Sequence, residues 1–117
     1  MGRGAEVAGA LRRGEVRLVR MPAPDKTRPV LVLTRTSALR FLGRITIAPI
    51  TSTIRDIPTE VRLDVDDGMK APCGVNLDHV MTVPRSALGA HVATLTPTRM
   101  REVCRALAFA IECDDVP

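Results

Sequence analysis

The 117-residue sequence predicts a small, mostly β (α+β) domain, a barrel or sheet of five or six short antiparallel strands completed by one C-terminal helix. Short runs that alternate apolar and polar residues, or cluster β-branched ones, are separated by Gly, Pro and Asp turns. The segment TPTRMREVCRALAFAIEC instead repeats its apolar residues every three or four positions. The length suits a single core. With 45% apolar residues but only Phe41 and Phe109 aromatic, that core must be built from Val, Leu, Ile, Ala and Met. We expect a domain over 13–113 between a poorly ordered leader, 1–12, and a short tail, 114–117.

Taken in order, GEVRLVR (14–20) alternates and reads as a strand near an edge. MPAPDKTR (21–28) holds two prolines and Asp25, which forbid regular structure. PVLVLTR (29–35) is β-branched and apolar enough for a central strand, with Pro29 tolerable only at its start, where no ladder donor is missed. TSALRFLG (36–43) fits one helical turn ended by Gly43. RITIAPI (44–50) alternates strictly, with Ile45, Ile47 and Pro49 on one face. TSTIRDIP (51–58) is a polar loop, TEVRLDV (59–65) a strand, and DDGMKAPCG its turn around Asp67-Gly68. VNLDHVMTV (75–83) alternates again, PRSALG (84–89) is a short helical turn, and HVATL (91–95) a last strand. In the final helix Thr96 is the N-cap and Pro97 the first helical residue. Met100, Val103, Leu107 and Ile111 form its buried stripe, filled in by Cys104 and Ala110, opposite Arg99, Arg101, Glu102 and Arg105.

Composition narrows the function. No apolar run approaches the ~20 residues of a membrane span, and the charged beginning lacks a signal-peptide core, so a cytoplasmic protein is expected. Cys73, Cys104 and Cys113 form no CxxC pair, and only His79 and His91 could join them, which argues against disulfides and zinc; no cofactor is expected. Residues 1–62 carry twelve Lys/Arg against five Asp/Glu, and 63–117 carry five against eight. A basic half suits a polyanion. Fifteen Arg against two Lys suits bidentate phosphate contact, though an Arg-rich coding composition explains the ratio equally well.

Three segments carry candidate chemistry: Arg28-Pro29 at a strand start, PITSTIR at a strand end, and GVNLDHVMTVP with Asn76, Asp78 and His79. Strand ends lie near the rim of a small barrel, so a cation, a hydroxyl cluster and a polar strand face can converge there. Together with the opening RGEV, the strand RPVLVL, the run APITSTIRDIPTEVRLD and the final helix, in this order over residues 14 to 112, the pattern resembles the MazF/PemK family of toxin endoribonucleases. The resemblance implies an SH3-like barrel of five to seven strands with a C-terminal helix, the CcdB/Kid-like toxin fold. It implies a homodimer, metal-independent cleavage of single-stranded RNA, and a cognate antitoxin whose tail covers the RNA groove. The family's catalytic Arg falls on Arg28 and its catalytic hydroxyl on Thr51, with Ser52, Thr53, Arg55, Lys26, Asn76, Asp78 and His79 as substrate-binding candidates. The chain departs from the family at Arg17, where Trp or Tyr is common, in its short MPAPDKT loop, and at His79 and Met81, where Gln and Arg are usual.

RNA supplies its own nucleophile, the 2′-OH. A donor fixed where charge builds on the phosphoryl oxygens is worth on the order of 3–4 kcal/mol, and a guanidinium's planar fork spans two such oxygens. Arg28 suits that role better than base catalysis, because arginine is effectively never deprotonated. Histidine's ordinary pKa near ~6.5 suits a general base, which leaves His79 open between catalysis, base contact and structure. His91 reads as structural. Arg55 is either a phosphate contact or a solvated loop side chain. With so few aromatics, base stacking of the RRM or OB kind is disfavoured. A non-nucleolytic module on the same fold, such as a gyrase poison, and a basic scaffold protein are the rival readings. The acidic ending ECDDVP, without Trp, fits the gyrase poison poorly.

Overall fold

The computed structural model describes residues 11–20 and 27–113. Among these residues the strands are β1 (Glu15–Arg20), β2 (Thr27–Val32), β3 (Arg44–Thr51), β4 (Glu60–Leu63), β5 (Cys73–Asn76), β6 (Met81–Pro84) and β7 (Leu88–Thr94). One helical turn, α1 (Thr36–Leu39), follows β2, and the helix α2 (Pro97–Ala110) follows β7. Every pairing is antiparallel. The sheet runs in the order β4-β5-β3-β2-β1-β7, with β6 also on β3. The fold is therefore mostly β with a C-terminal helix, as expected, with seven strands.

The middle of β2 is apolar throughout because both of its faces are covered. Leu31 packs with Val16, Ala48, Ile50, Leu63, Val75 and the α2 residues Met100, Val103 and Ala106. Its neighbours Val30 and Val32 point the other way, to a second cluster with Leu11, Val19, Leu39, Ile45 and Ile47. Strand alternation divides β3 in the same manner, Ile45 and Ile47 to one side and Ala48 and Ile50 to the other. Each such side chain, fully buried, contributes about 1.5–3 kcal/mol. Leu11 is buried in the second cluster, so the packed body begins before residue 13.

β1 lies near an edge as expected, between β2 and the terminal strand β7. One expectation about strands is corrected: the alternating run 75–83 is no single strand. It breaks into β5, a 3-10 turn at Leu77–His79, and β6, all along one edge of β3. Val75 opposes Ile50 while Met81 opposes Ile47, so the turn takes up chain that β3 has no residues to match. β7 is longer than HVATL suggests, beginning at Leu88 and ending at Thr94.

α2 is capped as its sequence predicts. Thr96 Oγ1 accepts from the Arg99 amide, and Pro97 opens the helix. The buried stripe is shorter than expected. Met100, Val103 and Ala106 are buried and Leu107 and Ala110 partly so, but Ile111 lies beyond the last turn and is 59% exposed. Cys104 is also exposed rather than packed, and its sulfur accepts a hydrogen bond from Arg13 at 3.1 Å. Both phenylalanines stand outside the core, Phe41 at 77% and Phe109 at 51% exposure.

Candidate active site

β2 and β3 run antiparallel with Val30 opposite Pro49 and Leu31 opposite Ala48. The paired register ends at Val30 and Pro49; Arg28, two residues before Val30, and Thr51, two residues after Pro49, lie where that register would continue. Residues directly opposite in an antiparallel pair share a face. Arg28, Thr51 and Ser52 all line one cleft of about 650 Å³, within the ~300–1,000 Å³ that accommodates a small-molecule-sized group. Leu18, Ile50 and Val92 give it an apolar floor, and the segment Met69–Cys73 forms its other wall.

The loop after Thr51 is held by few but specific contacts. Thr51 Oγ1 accepts from the Thr53 amide at 3.0 Å. The Glu60 carboxylate accepts from the amides of Arg55 and Asp56, at 3.0 and 2.9 Å on Oε1. Asp56 adopts a left-handed φ of 56°. Gly74, paired with Thr51, makes space for this anchor: a Cβ there would stand 2.7 Å from Glu60 Cδ and Oε2. The sequence gives Gly74 no special role, and the register is what exposes it.

The remaining candidates are placed elsewhere. Thr53 and Arg55 lie on the loop that follows Ser52 and are not among the cleft's lining residues. Asn76, Asp78 and His79 sit at the other end of β5 and form a local network. Asn76 Oδ1 accepts from the Asp78 amide at 2.9 Å, which turns the Asn76 amide nitrogen toward His79 Nδ1 at 2.7 Å. Thr59 donates its hydroxyl to Asp78 at 2.6 Å. These contacts shape the 3-10 turn between β5 and β6, and none of the three residues lines the cleft. His91 bonds Thr94 at 2.7 Å. Lys26 lies outside the described residues.

The wall Met69–Cys73 was not singled out from the sequence, where it reads as an ordinary turn. It adds Lys70, a second cation in the cleft, and Cys73. Burial pushes the Cys73 thiol up, and the carboxylates of Asp67 and Asp64 push it further the same way. A short signal was present: a Lys two residues after Asp67-Gly68 and four residues before the partner of Thr51. Among the described residues, no cluster of His, Cys, Asp and Glu suits a metal ion. No helix among them is long and apolar enough to cross a membrane.

Residues 12–111 match the family described as PemK-like, MazF-like toxin of type II toxin-antitoxin system. The probable endoribonuclease MazF2 of Mycobacterium tuberculosis is 35% identical over 104 residues, 88% of this chain and 100% of its own. The solved Mycobacterium tuberculosis toxin MazF-mt6 superposes with a TM-score of 0.77 at 33% identity, covering 84% of this chain and 96% of its own. An endoribonuclease in complex with its cognate antitoxin, from a mycobacterial species, gives 0.78 at 27% identity, covering 88% and 96%. Sequence and fold agree over most of the length, and the chain belongs to the PemK-like, MazF-like toxins of type II toxin-antitoxin systems.

Proposed function

We propose that this endoribonuclease toxin cuts single-stranded RNA in the cleft between the start of β2 and the end of β3, with Arg28 and Thr51 as its catalytic pair and no metal ion in the step. The observation that supports the reading is that Arg28, at the start of β2, and Thr51, at the end of β3, line one cleft. The substrate's 2′-OH attacks the adjacent phosphorus and loses its proton. The bond from phosphorus to the 5′ oxygen breaks, and that oxygen takes up a proton. The products are a 2′,3′-cyclic phosphate and a 5′-OH end.

Arg28 hydrogen-bonds the phosphoryl oxygens as their charge grows, and its fork matches two of them. Thr51 donates to the same group or holds it in line, and Ser52 adds a second hydroxyl at the same rim. Both sit on a sheet whose two faces are packed, so the donors are positioned before the substrate arrives. Thr53 and Arg55 extend the contact surface along the loop after Ser52, and Lys26, outside the described residues, remains a substrate-binding candidate. The network of Asn76, Asp78 and His79 is a site of base contact at most, since it lines another part of the surface. A cytoplasmic homodimer restrained by a cognate antitoxin completes the reading, supported by the relative solved with its antitoxin.

The test is RNA cleavage by the purified protein in excess EDTA, with product ends mapped. The expected result is cutting to 5′-OH ends, and a fall of about 10²–10³-fold in rate for Arg28→Ala, the usual loss for one such donor. An Arg28→Ala protein as fast as its parent, or a parent inert without magnesium, overturns the mechanism.

A further inference from the structure

The wall of the cleft facing away from β2 and β3 is unusually well fastened for a loop. It leaves β4 at Asp64, whose side chain accepts from the Asp66 amide at 2.9 Å, while Asp67 reaches back to the Asp64 amide at 2.9 Å. The Asp67 carboxylate then receives both Nε and a terminal nitrogen of Arg99 on α2, at 2.9 and 3.1 Å. Arg99 is in turn held by Glu102 at 2.9 Å. Gly68 follows in the left-handed region at φ 92°, with no room for a Cβ against Ala93, and Met69 is buried in the core beneath α2. The next residue, Lys70, is exposed and lines the cleft. It has no hydrogen bond or ion pair among the described residues.

A long cationic side chain on a fastened turn, lining the same cleft as Arg28, is a contact for a second anionic group. We infer that Lys70 binds the RNA backbone at a phosphate next to the one being cut, and that the Asp67–Arg99 pair is the positioning element that holds it there. The inference rests on the proposed ribonuclease activity and adds the residue that grips the strand. Lys70 acts as a point charge, so it weakens or strengthens binding without choosing a base. Asp67 and Arg99 act through the wall.

The experiment uses the full chain and a short single-stranded RNA containing a mapped cut site, with a 2′-deoxyribose at the cleaved position so that it binds without reacting. Dissociation constants are measured over a range of salt concentrations for the parent, Lys70→Gln, Lys70→Arg, Asp67→Asn and the double variant. Lys70→Gln is expected to bind about five- to tenfold more weakly, the net scale of one hydrogen-bonded contact, and its salt dependence to be shallower by ~0.7, the loss of one single-strand phosphate contact. Lys70→Arg restores both. Asp67→Asn loses part of the affinity and of the slope, and adds nothing once Lys70 is gone. If the parent binds and cuts RNA while Lys70→Gln matches its affinity and slope, this inference fails and the ribonuclease reading stands. If Asp67→Asn and Lys70→Gln weaken binding additively, the positioning role fails. A parent that neither binds nor cuts RNA overturns both readings.

Discussion

Arg17 is 4% exposed, yet it sits in the middle of β1 with a full charge. Its partner is Glu15, two residues back and so on the same face of the strand. Glu15 Oε1 accepts from Arg17 Nε and a terminal nitrogen at 3.0 and 2.8 Å, and from the Arg12 amide at 3.2 Å. The other arm of Arg17 donates to the Gly89 carbonyl at 3.0 Å, where the β1–β7 register slips. Every strong group in this knot is satisfied, so removing one member strands the rest. Glu15→Ala is expected to destabilise the fold by about 3–5 kcal/mol, the cost of leaving a buried guanidinium unpaired, as measured by urea unfolding. Replacing both residues by apolar ones of similar size is expected to recover most of that loss. The sequence alone shows the two charges on one face. Whether that face is wet or covered depends on β7, which arrives more than seventy residues later.

Among the elements, the loop between β4 and β5 shows how a side wall is made stiff. Burial pushes the Asp67 carboxyl up, but hydrogen bonds from Arg99 and from the Asp64 amide, with the nearby positive charge, outweigh it and hold the group below the usual carboxylate range. The same pair raises the Arg99 guanidinium above its ordinary value. A carboxyl with a lowered folded-state pKa stabilises the fold above its unfolded value of ~3.9 and stops doing so as pH falls through the lowered one. The difference in unfolding free energy between the parent and Asp67→Asn should therefore be full at pH 7 and close toward zero as the pH falls well below 4. A difference that persists unchanged in acid would show that the ion pair is not its source. Elements of this kind also mark the limit of reading from sequence. The central strands and the capped helix were legible because periodicity and capping are local. The proposed pair Arg28 and Thr51 came only from family motifs, and that both line one cleft depends on tertiary structure the sequence does not display. The run 75–83 kept a strand's alternation through a turn, since the Asn76–Asp78 contact that bends it looks in sequence like any polar pair.

At the scale of the whole molecule, one sheet separates two apolar clusters, and only the larger is covered by α2. β2 belongs to both, so its loss cannot be confined to one side. Leu31, fully buried between β1 and β3, is the point where the larger cluster meets the sheet's centre. Leu31→Ala is expected to cost about 2–5 kcal/mol and to lower the unfolding midpoint in a single transition seen equally by helix and sheet signals. Two separated transitions would mean that the clusters melt independently. The same placement ties activity to folding, because the proposed pair Arg28 and Thr51 rides on the two strands that both clusters share.

Gly74 has a consequence for tolerance to change. The Glu60 carboxylate stands where a Cβ at 74 would be, and that carboxylate tethers the segment leading away from Thr51. In a saturation screen for cells rescued from toxicity, the exposed Ile57, which has no part in the proposed site, should accept many replacements with poison intact. Position 74 should yield survivors with every residue tried, alanine included. A harmless glycine with no chemistry of its own would then rank beside the reacting groups as a way to disarm the toxin.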